Sequence, residues 1–131
     1  MDTNILMDLL LDDLTHRPES EDALREAARG GALVICEVVY AEMAGLFSEP
    51  SQLNDFLREV GIEMISSLPK TLWKAGQLWR KSRKGRTDEP VSARRFLADF
   101  LIGAHALLQA ERLLTRDQGF YRAAFSGLRL A

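Results

Sequence analysis

Four carboxylates lie at positions where acidic side chains are unusual, and Asp99 is the clearest of them. It interrupts the apolar run of residues 96–108, with Phe96 three residues before it and Ile102 three residues after it. Helical spacing puts the carboxylate at the edge of a core, where an unpaired charge is costly to desolvate. A salt bridge to Arg95, a helix cap or a bound cation would each offset that cost.

The other three carboxylates are Asp2, Glu42 and Asp117. Asp2 precedes the first predicted helix, Asp117 follows the apolar residues 113–115, and Glu42 lies in a helix that is otherwise apolar or small on most sides. Taken singly, they read as a helix cap, a turn residue and a surface charge. Together with Asp99 they occupy two strand ends and two core-edge helix positions, which we expect to converge at one end of a sheet.

The elements that must position these residues are short apolar strands alternating with amphipathic helices. Strands are predicted over residues 33–36, 63–65, 113–115 and 128–130. Helices are predicted after residue 3 and over about residues 19–29, 38–47, 51–61, 72–84, 93–111 and 119–125, with Ser51 as a cap and Gly61 as a terminator. This alternation predicts an α/β fold with a short central parallel β-sheet flanked by helices on both faces, whose functional groups collect at the carboxyl ends of the strands. The 131 residues are expected to form a single domain.

Four clustered carboxylates have a definite chemistry. Like charges repel and push carboxyl pKa values upward unless a cation neutralises them. All-oxygen ligands select a hard cation, Mg²⁺ or Mn²⁺ rather than Zn²⁺. Beside a basic flank, such a cation suits phosphodiester hydrolysis, because it lowers the pKa of a water and offsets charge on the phosphoryl oxygens. The pattern predicts a nuclease site.

The charge distribution supplies a basic flank of that kind. Residues 1–63 carry 14 acidic and 4 basic side chains, whereas residues 64–131 carry 5 acidic and 13 basic ones. Seven basic residues fall within sixteen positions: Arg80, Lys81, Arg83, Lys84, Arg86, Arg94 and Arg95. They form either a solvated helix end and loop or a phosphate-binding surface beside the acidic centre. Residues 85–93, which are polar and contain Pro90, are predicted to be flexible.

Other kinds of site are less well supported. No apolar run approaches the roughly 18 residues that span a bilayer, and the acidic N-terminus is unlike a signal peptide, so we expect a cytoplasmic protein without membrane contact. Cys36 is the only cysteine and is interpreted as a small buried hydrophobic residue. Because there is no second cysteine, a thiolate zinc site is excluded. His105 lies about 240° round the helix from Asp99 and reads as a structural histidine. His16 lies in a predicted polar loop, and no nucleophile elbow, Walker loop or dinucleotide glycine pattern occurs.

The carboxylate segments resemble the four signature segments of PIN-domain ribonucleases, most nearly the VapC-type toxins of bacterial toxin-antitoxin pairs. The matching segments are Asp2-Thr3-Asn4-Ile5-Leu6, Glu42 on the helix after the strand at residues 33–36, residues 98–106 around Asp99, and Leu113-Leu114-Thr115-Arg116-Asp117. The resemblance spans nearly the whole chain and implies an endoribonuclease that hydrolyses RNA at a Mg²⁺ or Mn²⁺ site.

The resemblance also assigns roles. The implied metal ligands and catalytic residues are Asp2, Glu42, Asp99 and Asp117, and the residues implied to orient them are Asn4 and Thr115. The candidate RNA contacts are Arg83, Lys84, Arg86, Arg94, Arg95 and Arg116. A homodimer and a cognate antitoxin, whose tail covers the acidic pocket with an arginine, are implied as well.

One departure from the family pattern leaves alternatives open. Relatives have several apolar residues ahead of the first aspartate, forming the central strand, whereas only Met1 precedes Asp2 here. Either residues of the native gene product are missing, or the strand is rebuilt from another segment. A catalytically inactive PIN-like module that binds an antitoxin is therefore an alternative. A receiver-like phosphoacceptor domain fits less well, since neither a lysine nor a hydroxyl residue directly flanks residues 128–130.

Overall fold

The computed structural model describes residues 1–11, 15–84 and 96–131. These residues form an α/β fold of seven helices and a small parallel sheet, as predicted. The helices are α1 (Thr3–Leu10), α2 (Arg17–Gly30), α3 (Glu37–Ala44), α4 (Pro50–Val60), α5 (Pro69–Ser82), α6 (Leu97–Gln109) and α7 (Gln118–Ala124). The strands are β1 (Leu33–Ile35) and β2 (Ile62–Met64). The segment predicted to be flexible, residues 85–93, lies outside the described residues, as does the predicted start of α6 at residue 93.

The two strands pair in parallel. Leu33 lies opposite Ile62 and Ile35 opposite Met64. The N–H of Ile65 donates to the carbonyl oxygen of Ile35 at 2.9 Å, which continues the ladder past β2. Leu33 and Ile35 are both buried, as expected of a strand between layers of helices.

Residues 113–115 and 128–130 pair less extensively than two full strands. In the described part of the chain they share one isolated parallel bridge, between Leu113 and Leu130. The Leu113 N–H donates to Arg129 O at 2.8 Å, and the Ala131 N–H donates to Leu113 O at 2.9 Å. The prediction of two complete strands was therefore wrong in extent. The carbonyl oxygen of Leu114, which points to the other side of residues 113–115, accepts a hydrogen bond from a different segment of the chain.

That segment is the first two residues. The amino group of Met1 donates to Val34 O at 2.6 Å, and the Asp2 N–H donates to Leu114 O at 2.9 Å. These bonds place residues 1–2 between β1 and residues 113–115, where a central strand is expected. Burial lowers the pKa of the Met1 amino group, and the nearby Cys36 and Asp2 oppose that effect.

Helix α4 shows how local sequence sets an element's limits. Ser51 was predicted as its cap, but the N-cap is Glu49, which forms a reciprocal capping box with Gln52. Pro50 takes the first helical position, where its missing N–H leaves no donor unpaired. The helix ends as predicted at Gly61, whose φ of 76° suits a residue without a Cβ.

The core is centred on α6 and an aromatic cluster beneath it. Phe100 lies edge-on to Phe120, with ring centroids 5.4 Å apart, and the Phe125 ring lies 6.1 Å from that of Phe100. Gly103 lets Phe125 approach closely, since a Cβ there would stand 2.4 Å from two of its ring carbons. Among the described helices, none has the length and hydropathy needed to cross a membrane.

We therefore expect Gly103→Ala to destabilise the protein. The buried Phe125 ring cannot move without disturbing its aromatic neighbours, and such overpacking costs about 1–3 kcal/mol. Gly76→Ala in α5 is the control, because a Cβ there meets no heavy atom within 4 Å. The control should be neutral or stabilising by up to about 1 kcal/mol. Equal midpoints for the two variants in urea denaturation would contradict this account of the core.

Candidate functional site

Thr115 joins the two ends of the chain through its hydroxyl group. The hydroxyl donates to Asp2 Oδ2 at 2.6 Å and accepts from the Asp117 N–H at 3.0 Å. The amide nitrogen of Asn4 lies 2.9 Å from the same Asp2 oxygen and 3.3 Å from the Thr115 hydroxyl. Asp2 and Thr115 are both buried, so these bonds are shielded from water. Two predicted metal ligands, Asp2 and Asp117, are thereby tied to one side chain.

Asp99 and Asp117 both lie at the N-terminal ends of helices. Asp99 Oδ2 accepts from the Phe96 N–H at 3.0 Å at the start of α6, and Asp117 Oδ1 accepts from the Phe120 N–H at 3.3 Å at the start of α7. A salt bridge to Arg95, a helix cap and a bound cation were the three explanations offered for Asp99. The hydrogen bond from the Phe96 N–H is the helix cap, and Arg95 lies outside the described residues. The positive end of each helix dipole stabilises the carboxylate in this position.

Tyr121 shows that the three aspartates share one environment. Burial raises the pKa of its phenol, and the charges on Asp2, Asp99 and Asp117 raise it further. The hydroxyl is close enough to interact with Asp2, yet it meets hydrogen-bond geometry with no atom of the described residues. A single buried, protonated hydroxyl therefore faces three carboxylates.

Sequence reasoning missed Tyr121, because an aromatic in a short helix ordinarily belongs to the core. Its position four residues after Asp117, one helical turn away, is the signal that could have found it.

Glu42 is linked to the three aspartates through a neighbour of Asp2. Its carboxylate accepts a hydrogen bond from the hydroxyl of Thr3, the residue after Asp2. The predicted core-edge position was wrong, since Glu42 is exposed on α3. The hydrogen bond from Thr3, the first residue of α1, nevertheless directs the side chain towards the N-terminal end of that helix.

The donor set suits a hard divalent cation. Asp2, Glu42, Asp99 and Asp117 offer carboxylate oxygens alone, the ligands that Mg²⁺ and Mn²⁺ prefer. Within the described residues, no three of these carboxylates have ligand atoms all within 4.8 Å of one another. Mutual repulsion holds carboxylates apart unless a cation offsets it, so this spacing is compatible with binding that draws them together.

The predicted RNA contacts are only partly described. Arg83 stacks over the Trp79 ring, 5.0 Å from its centroid, and Lys84 is exposed. Arg116 instead pairs with the buried Asp8, with 2.8 Å from its Nε to the carboxylate. The remaining candidates, Arg86, Arg94 and Arg95, lie outside the described residues. The RNA-binding role of all six stays a prediction.

The Tyr121 environment generates a pH prediction. Because the folded-state pKa is raised above 10.0, the unfolded chain loses its phenolic proton first, and stability should fall as the pH rises above that value. Relative to Tyr121→Phe, the wild type should lose up to about 1.4 kcal/mol per pH unit in this range. Near neutral pH Tyr121→Phe should match the wild type or be more stable by up to about 1 kcal/mol, since among the described residues no atom meets hydrogen-bond geometry with the buried hydroxyl.

The measurement is urea denaturation from pH 7 to 11, with Tyr40→Phe as the control. The Tyr40 hydroxyl bonds Asn54 at the surface, 3.0 Å away, so its removal should leave the alkaline loss in place. Parallel stability curves for wild type and Tyr121→Phe would contradict a raised pKa for this phenol, and with it a buried position beside the three aspartates.

Comparison with known proteins gives the family. The family model described as the PIN domain matches residues 1–126. Neither the curated proteins nor the solved structures gave a significant match. PIN domains are generally metal-dependent nucleases, and the α/β architecture with its carboxylates at one end agrees with that fold. The chain belongs to the PIN domain family.

Proposed function

We propose that the protein is a Mg²⁺- or Mn²⁺-dependent endoribonuclease, the toxin of a type II toxin-antitoxin pair. The observation that carries the proposal is the placement of the carboxylates: the Thr115 hydroxyl ties Asp2 to Asp117, and the charges of Asp2, Asp99 and Asp117 all act on the buried Tyr121. Asp2 is buried and Asp99 and Asp117 are partly buried, so a bound cation would offset the repulsion among their charges. The toxin subtype rests on the resemblance of the signature segments.

In this proposal the cation is held by Asp2, Asp99 and Asp117, with Glu42 completing the set. When bound, it lowers the pKa of the attacking water and offsets charge on the phosphoryl oxygens. The chain's own contribution is orientation. Thr115 and Asn4 fix the Asp2 carboxylate, and the pairing of Thr3 with Glu42 keeps the fourth carboxylate beside it.

Tyr121 acts as a proton-bearing neighbour of the site. Its phenol is neutral at neutral pH, so it adds no negative charge to those of the aspartates. A neutral phenol can donate a hydrogen bond to the Asp2 carboxylate once the side chains adjust. It is therefore a positioning residue in this scheme.

The RNA would follow the basic flank towards the acidic centre. Arg83 and Lys84 extend from the end of α5, and the ring of Trp79 fixes the Arg83 guanidinium by cation–π contact. Arg86, Arg94 and Arg95 continue this run in the sequence. Positive charge here attracts phosphates without reading bases.

We also propose a homodimer, supported by an exposed apolar patch on α5 and the start of α6. Trp73 is 72 % exposed and Phe96 67 % exposed, and the exposure of such large apolar side chains to water is unfavourable. Leu72, Trp73 and Leu97 line one surface pocket, and the exposed Leu68 and Phe96 lie beside its lining residues in the sequence. The antitoxin partner rests on the family resemblance, which implies that an arginine of its tail enters the acidic pocket.

The dimer proposal predicts that Trp73→Gln weakens self-association. An aromatic anchor at an interface is worth about 2 kcal/mol or more, so the dissociation constant should rise more than about tenfold. Lys74→Gln, the exposed neighbour on the same helix, is the control and should leave the constant unchanged. Sedimentation velocity over a concentration series measures both; a wild type that stays monomeric throughout would overturn the proposal.

The nuclease proposal is tested most directly at Asp99. Asp99→Asn keeps an oxygen that can accept from the Phe96 N–H while it removes one of the repelling charges. Without metal, the variant should match or exceed the wild type in stability. It should lose most of the stabilisation conferred by Mn²⁺, about 1.4 kcal/mol at tenfold excess over the dissociation constant. RNA cleavage should fall at least about 100-fold.

Asp55→Asn is the matched control, because Asp55 is exposed and pairs only with its helical neighbour Arg58 among the contacts described, at 2.8 Å. It should retain both the metal response and the cleavage. The readouts are thermal melts with and without Mn²⁺ and cleavage of a mixed RNA pool. A wild type that binds Mn²⁺ but cuts no RNA would favour the inactive, antitoxin-binding module, and a destabilised Asp99→Asn with an unaltered metal shift would remove Asp99 from the site.

A further inference from the structure

We propose that Cys36, Glu37 and His105 form a second metal site, suited to Zn²⁺ or a similar transition-metal ion. Each residue offers one ligand atom, which in His105 is one of the two ring nitrogens, and these atoms all lie within 4.8 Å of one another. This is the one such set of three in the described residues, and it shares no member with the four carboxylates of the proposed nuclease site. Nothing in the PIN-domain match accounts for it.

The fold assembles the three residues from two elements. Cys36 lies between β1 and α3 and is the N-cap of α3, and Glu37 is the first residue of that helix. His105 lies in the middle of α6 and reaches the same place through the packing of α6 against α3. The lone cysteine had excluded a thiolate zinc site on counting alone, but a mixed site needs only one thiolate.

The histidine provides the second, independent observation. His105 is only 4 % exposed, and its Nε2 has no hydrogen-bond partner among the described residues. A buried polar nitrogen without a partner is destabilising by about 1–3 kcal/mol. A bound ion or an ordered water at this nitrogen would offset that cost.

Hydrogen bonding indicates which ring nitrogen carries the proton. The Ser67 hydroxyl lies 3.0 Å from Glu37 Oε2 and 3.0 Å from His105 Nδ1. An ionised carboxylate can only accept, so Ser67 donates its one proton to Glu37 and accepts from His105 Nδ1–H. This tautomer leaves Nε2 with a bare lone pair, and metal-binding histidines commonly donate their other N–H in this way.

The charge states agree with that assignment. Burial raises the pKa of Glu37, but hydrogen bonds from the backbone N–H groups of Glu37 and Ser67 and from the Ser67 hydroxyl lower it on balance. Burial lowers the pKa of His105, which keeps the imidazole neutral. The site thus has one carboxylate and one free imidazole lone pair ready at neutral pH.

The ligand types select the ion. A sulfur, a nitrogen and a carboxylate oxygen favour Zn²⁺, Co²⁺ and related ions over the hard Mg²⁺. Tetrahedral coordination at about 2.0–2.3 Å places ligand atoms about 3.3–3.8 Å apart, so small side-chain rotations would close the present set. Three protein ligands leave a fourth position for water or an external ligand.

Two other chemistries fit the cluster poorly. Burial raises the pKa of the Cys36 thiol, so in the absence of a metal it is not an activated nucleophile. A hydrolase triad places histidine between the nucleophile and the carboxylate, whereas here Ser67 stands between Glu37 and His105. A metal would itself convert the thiol to thiolate.

Cobalt titration of the full chain, under a reductant that does not bind metal, tests the proposal. Because Cys36 is the only cysteine, a thiolate-to-cobalt charge-transfer band in the near ultraviolet can arise only here. We expect that band to saturate at one Co²⁺ per chain and to bleach when Zn²⁺ is added, since Zn²⁺ binds more tightly than Co²⁺. Zn²⁺ should also raise the melting temperature.

Two variants assign the ligands. Cys36→Ser should abolish the band, and His105→Gln should weaken Co²⁺ binding at least about tenfold. Asp99→Asn, at the proposed nuclease site, is the control and should keep the band unchanged, which separates this proposal from that function. A folded wild type that shows no thiolate band with equimolar Co²⁺, or a band that His105→Gln leaves at full affinity, would overturn the site.

Discussion

The hydroxyl of Thr115 is the contact on which the rest of the carboxylate cluster depends. It donates to Asp2 at the start of the chain and accepts from the backbone of Asp117 near its end, with Asn4 beside both. A hydroxyl has one proton and two lone pairs, and all three are engaged here. Because the group is buried, its removal would cost the Asp2 carboxylate and the Asp117 N–H one hydrogen bond each that water could not readily replace.

This constraint also organises the sheet. Residues 1–2 bridge β1 and residues 113–115 by backbone hydrogen bonds to Val34 and Leu114. The Thr115 hydroxyl adds a hydrogen bond to the Asp2 side chain. The same few residues therefore carry both the pairing of the sheet and the geometry of the candidate site. Stability and function are coupled at this edge, where parallel strands gather their functional groups.

Helix α6 separates two kinds of chemistry by its own geometry. Asp99 and His105 are six residues apart, about 240° round the helix, so they face different neighbours. Asp99 acts on Tyr121 with the other aspartates, while His105 bonds Ser67 on the opposite side. Small residues between them, including Gly103, allow α6 to pack tightly on the aromatic cluster that supports both sides. A hard-ligand site and a mixed sulfur, nitrogen and oxygen cluster can thus share one helix without sharing ligands.

Spacing and residue type alone predicted much of this protein. The alternation of apolar segments with helices gave the α/β class, Gly61 gave the end of α4, and the isolation of Asp99 within an apolar run drew attention to the carboxylates. These features are local, because helical period, turn residues and charge in an apolar run can each be seen within a few positions. Only the tertiary structure placed Tyr121 among three aspartates, paired Arg116 with Asp8, exposed Glu42 and brought Cys36 next to His105. Those relations join residues far apart in the chain, and which side chains meet there is decided by packing between elements rather than by the pattern within any one of them.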